Sequence, residues 1–391
     1  MIDENNAYRI TERLAFPRLI GSEGEEQAIN LIVDEFEQAG YNSINREKFK
    51  TSFYNLIFAR FIFLVLGSGL ILLALSFYIH PILTITLVMG EAFLAFKSLK
   101  VSTSNKIKLL KNETYNYETE NVSAHLKSKN SKWNVILIGH WDSKSQTFPT
   151  STRILIFMVF TFGTLIIYLI FFILSILRIF INFYLPVLNN ILLDVCIVIA
   201  LIGVINYFNK TGNESFGAFD NAAAVATIIE LARYYKLNPL SNIDLLFLIT
   251  GSEELNLGGA VHFLQNNKDK LDRKSTYFIN LDFIGGSELV RLISSYGIPR
   301  KHSSFKLNSL FLESAKELNI NIKEIYASSG VWSDYMPIVQ EGYEACWLGS
   351  EPGLKFVHTS KDDMDLISKE GIRNILLLCM DVLYKIENEL V

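Results

Sequence analysis

Four long apolar runs interrupt a chain that otherwise alternates short hydrophobic and polar stretches. Residues 54–78 and 79–96 form one run broken near His80-Pro81, and residues 154–177 carry no charge at all. Residues 187–208 are apolar apart from Asn189, Asn190, Asp194 and Asn206. A helix needs about 20 apolar residues to cross roughly 30 Å of hydrocarbon. The pattern therefore predicts four spanning helices in two hairpins. Buried core helices are the other reading, but 154–177 is too long and too uniformly apolar for it. Elsewhere the period changes. The segments 134–139, 243–249, 276–281 and 344–348 are short apolar runs, as in strands covered on both faces. Segments 221–236, 304–318 and 370–390 read as helices. IGSEGEEQAINLIVDEFEQAGY opens another helix: Ser22 and Glu25 have capping-box spacing, Ile29, Ile32, Val33 and Phe36 make one stripe, and Gly40 stops it.

Alternation of strands and helices predicts an α/β fold, a mostly parallel open sheet sandwiched by helices. The expected organisation is one domain assembled from 1–53, 98–152 and 210–391, interrupted by transmembrane hairpins at 54–97 and 153–209. Removing the hairpins leaves about 290 residues, the size of one such domain.

Half of the 391 residues are hydrophobic, an excess concentrated in the four runs. Two hairpins leave all three domain segments on one side of the bilayer. Lys48, Lys50, Lys97, Lys100, Lys106, Lys108, Lys144, Arg153 and Lys210 flank the spans on that side, against Arg178 alone on the other. The excess predicts a cytoplasmic domain in an integral membrane protein. The opening MIDENNAYRI is acidic and polar, so no signal peptide is expected. Cys196, Cys346 and Cys379 give neither a disulfide framework nor finger spacing. A net charge of −4 offers no basic face for nucleic acid. The sequons at Asn112, Asn121 and Asn213 carry no meaning in a cytoplasmic domain. Arg60 and Glu91, near span ends, are expected to snorkel.

Candidate chemistry gathers where open α/β sheets bind ligands, beyond the carboxyl ends of the strands. His140 and Asp142 follow VILIG, Glu253 and Glu254 follow LLFLITGS, and Asp282 closes YFINL. His358 lies in GSEPGLKFVHTSKDDMD after the last strand, and Asp220 precedes the helix NAAAVATIIELARYY. Singly, each has an ordinary explanation, Asp220 as a helix cap among them. Together on one rim, histidines mixed with carboxylates suit zinc. Two histidines with three carboxylates suit two ions sharing one carboxylate.

GHWDS, FDNAAAVA, GSEELNLGGA, INLDFIGG and VHTSKDDMD, in this order, resemble the five signature blocks of the co-catalytic di-zinc aminopeptidases. That family includes bacterial leucyl aminopeptidases, glutamate carboxypeptidase and glutaminyl cyclases. FPRLIGSEGEEQA and GVWSDYMPI are similar to it as well. The hairpins depart from the usual pattern, since 80 positions separate His140 from Asp220. Ala224, where glycine is frequent, is a minor departure. The resemblance implies a zinc exopeptidase fold with two zinc ions. One would be held by His140 and Asp282, the other by Glu254 and His358, with Asp220 bridging. It further implies that Asp142 orients His140, that Glu253 is the general base toward a bridging water, and that Asp220–Asn221 is a cis bond. Ser333, Asp334 and Tyr335 are expected to line the substrate pocket. His80, His125, His262 and His302 match no motif.

The resulting expectation is a membrane-embedded zinc exopeptidase acting on peptides, most simply an aminopeptidase. Two readings stay open beside it: a catalytically inactive peptidase fold used for binding, and cyclase or carboxypeptidase chemistry on the same site. No G-x-S-x-G elbow and no H-E-x-x-H helix occurs. His140 and Asp220 lie about a dozen residues from the ends of the second hairpin, which limits their distance from the bilayer to roughly 40 Å. Membrane-associated peptides are therefore one expected substrate class, and simple anchoring of a general peptidase is the other. Oligomeric state is not legible.

Overall fold

A computed structural model describes residues 2–104, 117–297, 299–328, 332–351 and 355–388, with side chains to 98 in the first stretch. Lys106, Lys108, Asn112, Gly330, Val331, the 352–354 part of the His358 loop and the Lys100 side chain lie outside the described residues. The chain divides into two compact units, one of Met1–Ser52, Asn112–Ser145 and Gly212–Val391, the other of Phe53–Lys111 and Gln146–Thr211.

The first unit is built on a mixed sheet. Its strands are β1 (Ile44–Thr51), β2 (Tyr117–Leu126), β3 (Trp133–His140), β4 (Ile243–Thr250), β5 (Thr276–Leu281), β6 (Val290–Tyr296), β7 (Ile322–Ala327) and β8 (Glu344–Ser350). They lie in the order β1-β2-β4-β3-β5-β8-β6-β7, and the two-residue segment Lys301–His302 pairs beside β6. The centre is parallel, since β3 pairs in parallel with both β4 and β5, and β5 does so with β8. An antiparallel pair, β1 with β2, forms one edge. From Val135 onward β3 is buried at every position, as a strand covered on both faces must be. One apolar layer includes Ile136, Ile138, Leu248, Phe278 and Trp347.

The helices of this unit are α1 (Glu4–Leu14) and α2 (Glu23–Gln38), then α7 (Ala223–Leu237), α8 (Gly258–Asn267), α9 (Phe305–Glu317), α10 (Tyr335–Gln340) and α11 (Lys369–Glu387), numbered to leave α3–α6 for the second unit. Ser304 caps α9 by accepting from the Leu307 N–H. Gly40 ends α2 at φ 93°, a left-handed turn that glycine adopts without steric cost. The expected capping box at α2 differs in detail. The Ser22 hydroxyl donates to the Leu19 carbonyl, and Glu25 accepts from the Gly21 N–H at 2.6 Å.

The second unit contains α3 (Tyr54–Ile79), α4 (Pro81–Ser104), α5 (Thr150–Ile181) and α6 (Pro186–Tyr207). Each is long and apolar enough to cross a membrane. His80-Pro81 breaks the first pair because proline lacks the N–H that would continue α3. Large apolar side chains such as Leu72, Met89, Phe162 and Val198 point outward, the inverse of a water-soluble surface. Small residues let backbones meet: a Cβ on Gly203 would lie 2.7 Å from the Phe63 carbonyl oxygen. Glu91 does not reach outward as expected. It accepts a 2.7 Å hydrogen bond from the Tyr168 hydroxyl and fills a notch above Gly69.

Candidate metal centre

The register of the central strands decides what converges. His140 pairs with Thr250 across β3 and β4, and Ile138 pairs with Asn280 across β3 and β5. The carboxyl ends of the three strands are therefore level. His140 closes β3, Asp282 follows β5 by one residue, and Glu253 and Glu254 follow β4 in a turn. That turn folds back sharply, with Ser252 at φ 61° and the Gly258 N–H bonded to the Ser252 carbonyl at 2.7 Å. Asp220 enters just ahead of α7 through a cis Asp220–Asn221 peptide. His358 arrives on the loop after β8 at φ 63°, a left-handed backbone that few non-glycine residues hold.

Two three-residue groups result, His140–Asp220–Asp282 and Asp220–Glu254–His358, each with ligand atoms within 4.8 Å of one another. His140 Nε2 lies 3.2 Å from Asp220 Oδ1 and 3.6 Å from Asp282 Oδ1. His358 Nε2 lies 3.3 Å from Asp220 Oδ2 and 3.0 Å from each Glu254 oxygen. Asp220 thus turns one oxygen toward each histidine. The Glu253 carboxylate is 3.8 Å from His140 Nε2 and belongs to neither group. All of these residues are at most 9% exposed.

His140 Nδ1 faces the Asp142 backbone carbonyl at 3.0 Å, closer than the Asp142 carboxylate at 3.6 Å. A proton on Nδ1 donated to that carbonyl leaves the Nε2 lone pair free for an ion. The Asp142 carboxylate has a second task. It accepts from the Glu253 and Glu254 N–H groups, both at 3.1 Å, and so locks the turn carrying both glutamates.

So many buried carboxylates oppose one another. Burial, together with Glu254, Asp282 and Asp334, holds the Glu253 carboxyl well above the usual range, against the pull of His140. Burial raises Asp282 as well. Asp220 is held low despite its burial, because both imidazoles hydrogen-bond to it. Glu254 is also lowered against its burial, by His358 and Lys144. His140 stands well above an ordinary imidazole because Glu253 and the three aspartates outweigh its burial. Asp282 Oδ1 is buried without a hydrogen-bond partner. An orphaned anionic oxygen aimed at an imidazole and a second carboxylate fits a cation.

Several supports are absent from the motifs' obvious reading. Arg18 is fully buried and donates to the carbonyls of Leu14, Phe16, Trp141, Phe216 and Gly217. It thereby pins the loop after β3 to the loop before Asp220. Burial pushes its pKa down to about 10, with Asp362, Asp142, Asp220 and Glu254 opposing. Gly217 sits at φ 59° against it, and a Cβ there would meet Ser143 at 2.6 Å. Asp362, four residues past His358, accepts from the Phe219 N–H at 2.7 Å and the Asp220 N–H at 3.2 Å, tying two ligand loops together. Its own pKa is pushed up to about 8 by burial and by Asp220. Lys144, expected only as a cation flanking a span, is buried, with Nζ 2.8 Å from Glu254 Oε2.

Ser333, Asp334 and Tyr335, expected to line the substrate pocket, are each without solvent exposure. The Ser333 hydroxyl and the Tyr335 N–H both donate to Asn280 Oδ1, two residues before Asp282. The Asp334 carboxylate accepts from the Thr250 hydroxyl, and burial pushes its pKa up to about 7. These residues brace the strand ends. His125 and His262 lie elsewhere, beside Asp244 and Glu47. The sequon residues Asn121 and Asn213 spend their side chains on internal hydrogen bonds to Gly259, Gly251 and Leu19.

Two linked His–carboxylate groups at the strand ends of a parallel-centred sheet have the donor chemistry of a zinc site. Residues 202–383 match Peptidase family M28. Aminopeptidase YwaD of Bacillus subtilis (strain 168) is 27% identical over 170 residues, covering 40% of this chain and 35% of that protein. The Vacuolar membrane protease of Schizosaccharomyces pombe (strain 972 / ATCC 24843) is 28% identical over 181 residues, covering 45% of this chain and 20% of that protein. The chain thus spans about a third or less of the length of these curated relatives. Among solved structures, LapB from Legionella pneumophila superposes with a TM-score of 0.57 at 13% identity, over 99% of this chain and 73% of that one. An Acidobacteriales bacterium glutaminyl cyclase gives 0.57 at 14% identity, over 99% and 96%. BSAP, a zinc aminopeptidase from Bacillus subtilis, gives 0.56 at 13% identity, over 99% and 95%. At these identities the likeness is one of fold. The four long apolar helices fit a membrane protein.

Proposed function

We propose that this chain is a membrane-integral, zinc-dependent aminopeptidase working with two ions. The observation that carries the reading is Asp220, whose two oxygens lie 3.2 Å and 3.3 Å from the imidazoles of two separate ligand groups. His140 and Asp282 would hold one ion, Glu254 and His358 the other, with Asp220 shared. When bound, such ions acidify a water and polarise the scissile carbonyl.

The protein's own residues supply the proton traffic. Glu253 lies beside both groups without belonging to either, and its elevated proton affinity suits a base that must take a proton from the attacking water. It then delivers that proton to the departing amine. Asp142 keeps Glu253 in place through its backbone N–H, so the base is fixed from behind while its carboxylate stays free. The hairpins at 54–97 and 153–209 are proposed to span the bilayer, with 1–53, 98–152 and 210–391 forming the peptidase on the cytoplasmic side. The short connectors from the second hairpin favour peptides that partition to the membrane.

Digestion of a peptide library by the protein in nanodiscs, read by mass spectrometry, tests this. Stepwise loss of single residues from amino ends is expected, and Glu253→Gln should abolish it with bound zinc unchanged. Cleavage inside peptides, trimming from carboxyl ends, or loss of ammonia from amino-terminal glutamine without hydrolysis would each replace the aminopeptidase reading.

A further inference from the structure

Lys144 separates the two ligand groups chemically. It lies four residues beyond His140, on the loop that leaves β3, and its side chain is only 8% exposed. Its ammonium is 2.8 Å from Glu254 Oε2 and 2.9 Å from the Glu254 carbonyl oxygen. A buried lysine held at two points on one residue is a built contact and not a chance surface pair. The ion pairs of Asp282 and Asp220 run instead to histidines. One strand end therefore sends a ligand, His140, into the first group and a fixed cation onto a ligand of the second.

We propose that Lys144 is a positioning residue that makes the two metal groups unequal. It pairs with Glu254 and so holds the second ion's affinity below that of the first. This rests on the two-ion reading above and concerns how the second group is regulated. A cation fixed against a carboxylate competes with a metal ion for the same negative charge, and low local dielectric strengthens the competition. Glu254 keeps its orientation without the lysine, because its N–H remains bound to the Asp142 carboxylate and His358 meets both of its oxygens. Removing the positive charge should therefore tighten the second group rather than dismantle it. The consequence is a peptidase that holds one ion when zinc is scarce and loads the second only as free zinc rises.

Metal-free full-length protein in nanodiscs would be titrated with zinc against a competing chelator, and with cobalt read by its visible absorbance. Wild type should show two transitions, the weaker one missing in His358→Ala. Lys144→Met should move the weaker transition to about tenfold lower free zinc or less, leaving the tighter one in place. Lys144→Arg should restore the wild-type separation, which loss of packing alone would not produce. Lys144→Gln provides a second neutral variant should the Met variant melt early by circular dichroism. Two transitions unmoved or weakened in both neutral variants would overturn the role of Lys144 and leave the two-ion reading standing. A single ion on saturated wild type would overturn that reading itself, and the inference with it.

Discussion

The two units of this chain solve opposite problems. Around the metal centre, charge is buried and its supports are held by hydrogen bonds: Arg18 by five carbonyls, Asp142 by two N–H groups, Asp362 by two more. The helical unit turns apolar side chains outward and joins its helices through small residues and a few polar ties, such as Glu91 with Tyr168 and Ser76 with Thr84. In the first unit, position is set by hydrogen bonds whose loss leaves an unpaired buried charge. In the second, on the proposed membrane reading, lipid solvates the helices and only close packing distinguishes the right neighbours. Damage should accordingly be severe and local in one unit, graded and diffuse in the other.

The largest expected effect is on chemistry. Glu253→Gln should lower kcat by about 10²–10⁴-fold, the usual contribution of a positioned base, while the melting temperature and zinc content hold. Next comes Arg18→Met, which strips the donors from five carbonyls and from two site loops. It should cost about 3–5 kcal/mol in chemical unfolding, the range for breaking a buried charged network. In the helical unit, Gly203→Val must push back the Phe63 backbone and should cost about 1–3 kcal/mol, read as a lower thermal midpoint in detergent. Tyr168→Phe should be mildest, near 0.6 kcal/mol, the average for a hydrogen bond between membrane helices. If Tyr168→Phe proved as damaging as Arg18→Met, the contrast between the units would fail.

Acidity sharpens the same contrast. Asp334 and Asp362, pushed up to about 7 and about 8, stay protonated in the fold at pH values where the unfolded chain has released those protons. Each contributes stability that is complete below the ordinary aspartate range and is lost as pH rises through its folded value. Glu253, Asp282 and His140, all raised, act in the same direction. Metal-free protein should therefore gain stability between pH 8 and pH 6, on the order of 1.4 kcal/mol per pH unit for each group that stays protonated. Zinc competes with the protons on His140 and Asp282 alone, so the loaded protein should gain less stability over the same descent. Thermal melts at several pH values, with and without zinc, check both slopes.

The uneven legibility of the sequence follows from where information resides. His140 and Asp282 stand out because each ends an apolar run buried on both faces, and the first polar residue after such a run must fall at the sheet's rim. The helix read at 304–318 forms at Phe305–Glu317, and the structure adds the Ser304 cap. The edge strands β1 and β2 were missed. INREKFKT is half exposed and charged, and its pairing partner lies across the first hairpin, so nothing local marks it as a strand. Arg18 and Asp362 escaped because their partners are backbone groups, most of them distant in sequence, which leave no pattern of side-chain types. Lys144 was placed with the charges flanking a span, where its spacing from 154–177 fits equally well. Only the folded loop brings it against Glu254.

The central claim is that Asp220 is shared between two ions. The most direct measurement is an anomalous difference map collected at the zinc edge from crystals of the full-length protein grown with zinc. Two peaks are predicted, one among His140, Asp220 and Asp282, the other among Asp220, Glu254 and His358. No peak touching Asp220, or a single peak that leaves either histidine uncoordinated, would contradict the account.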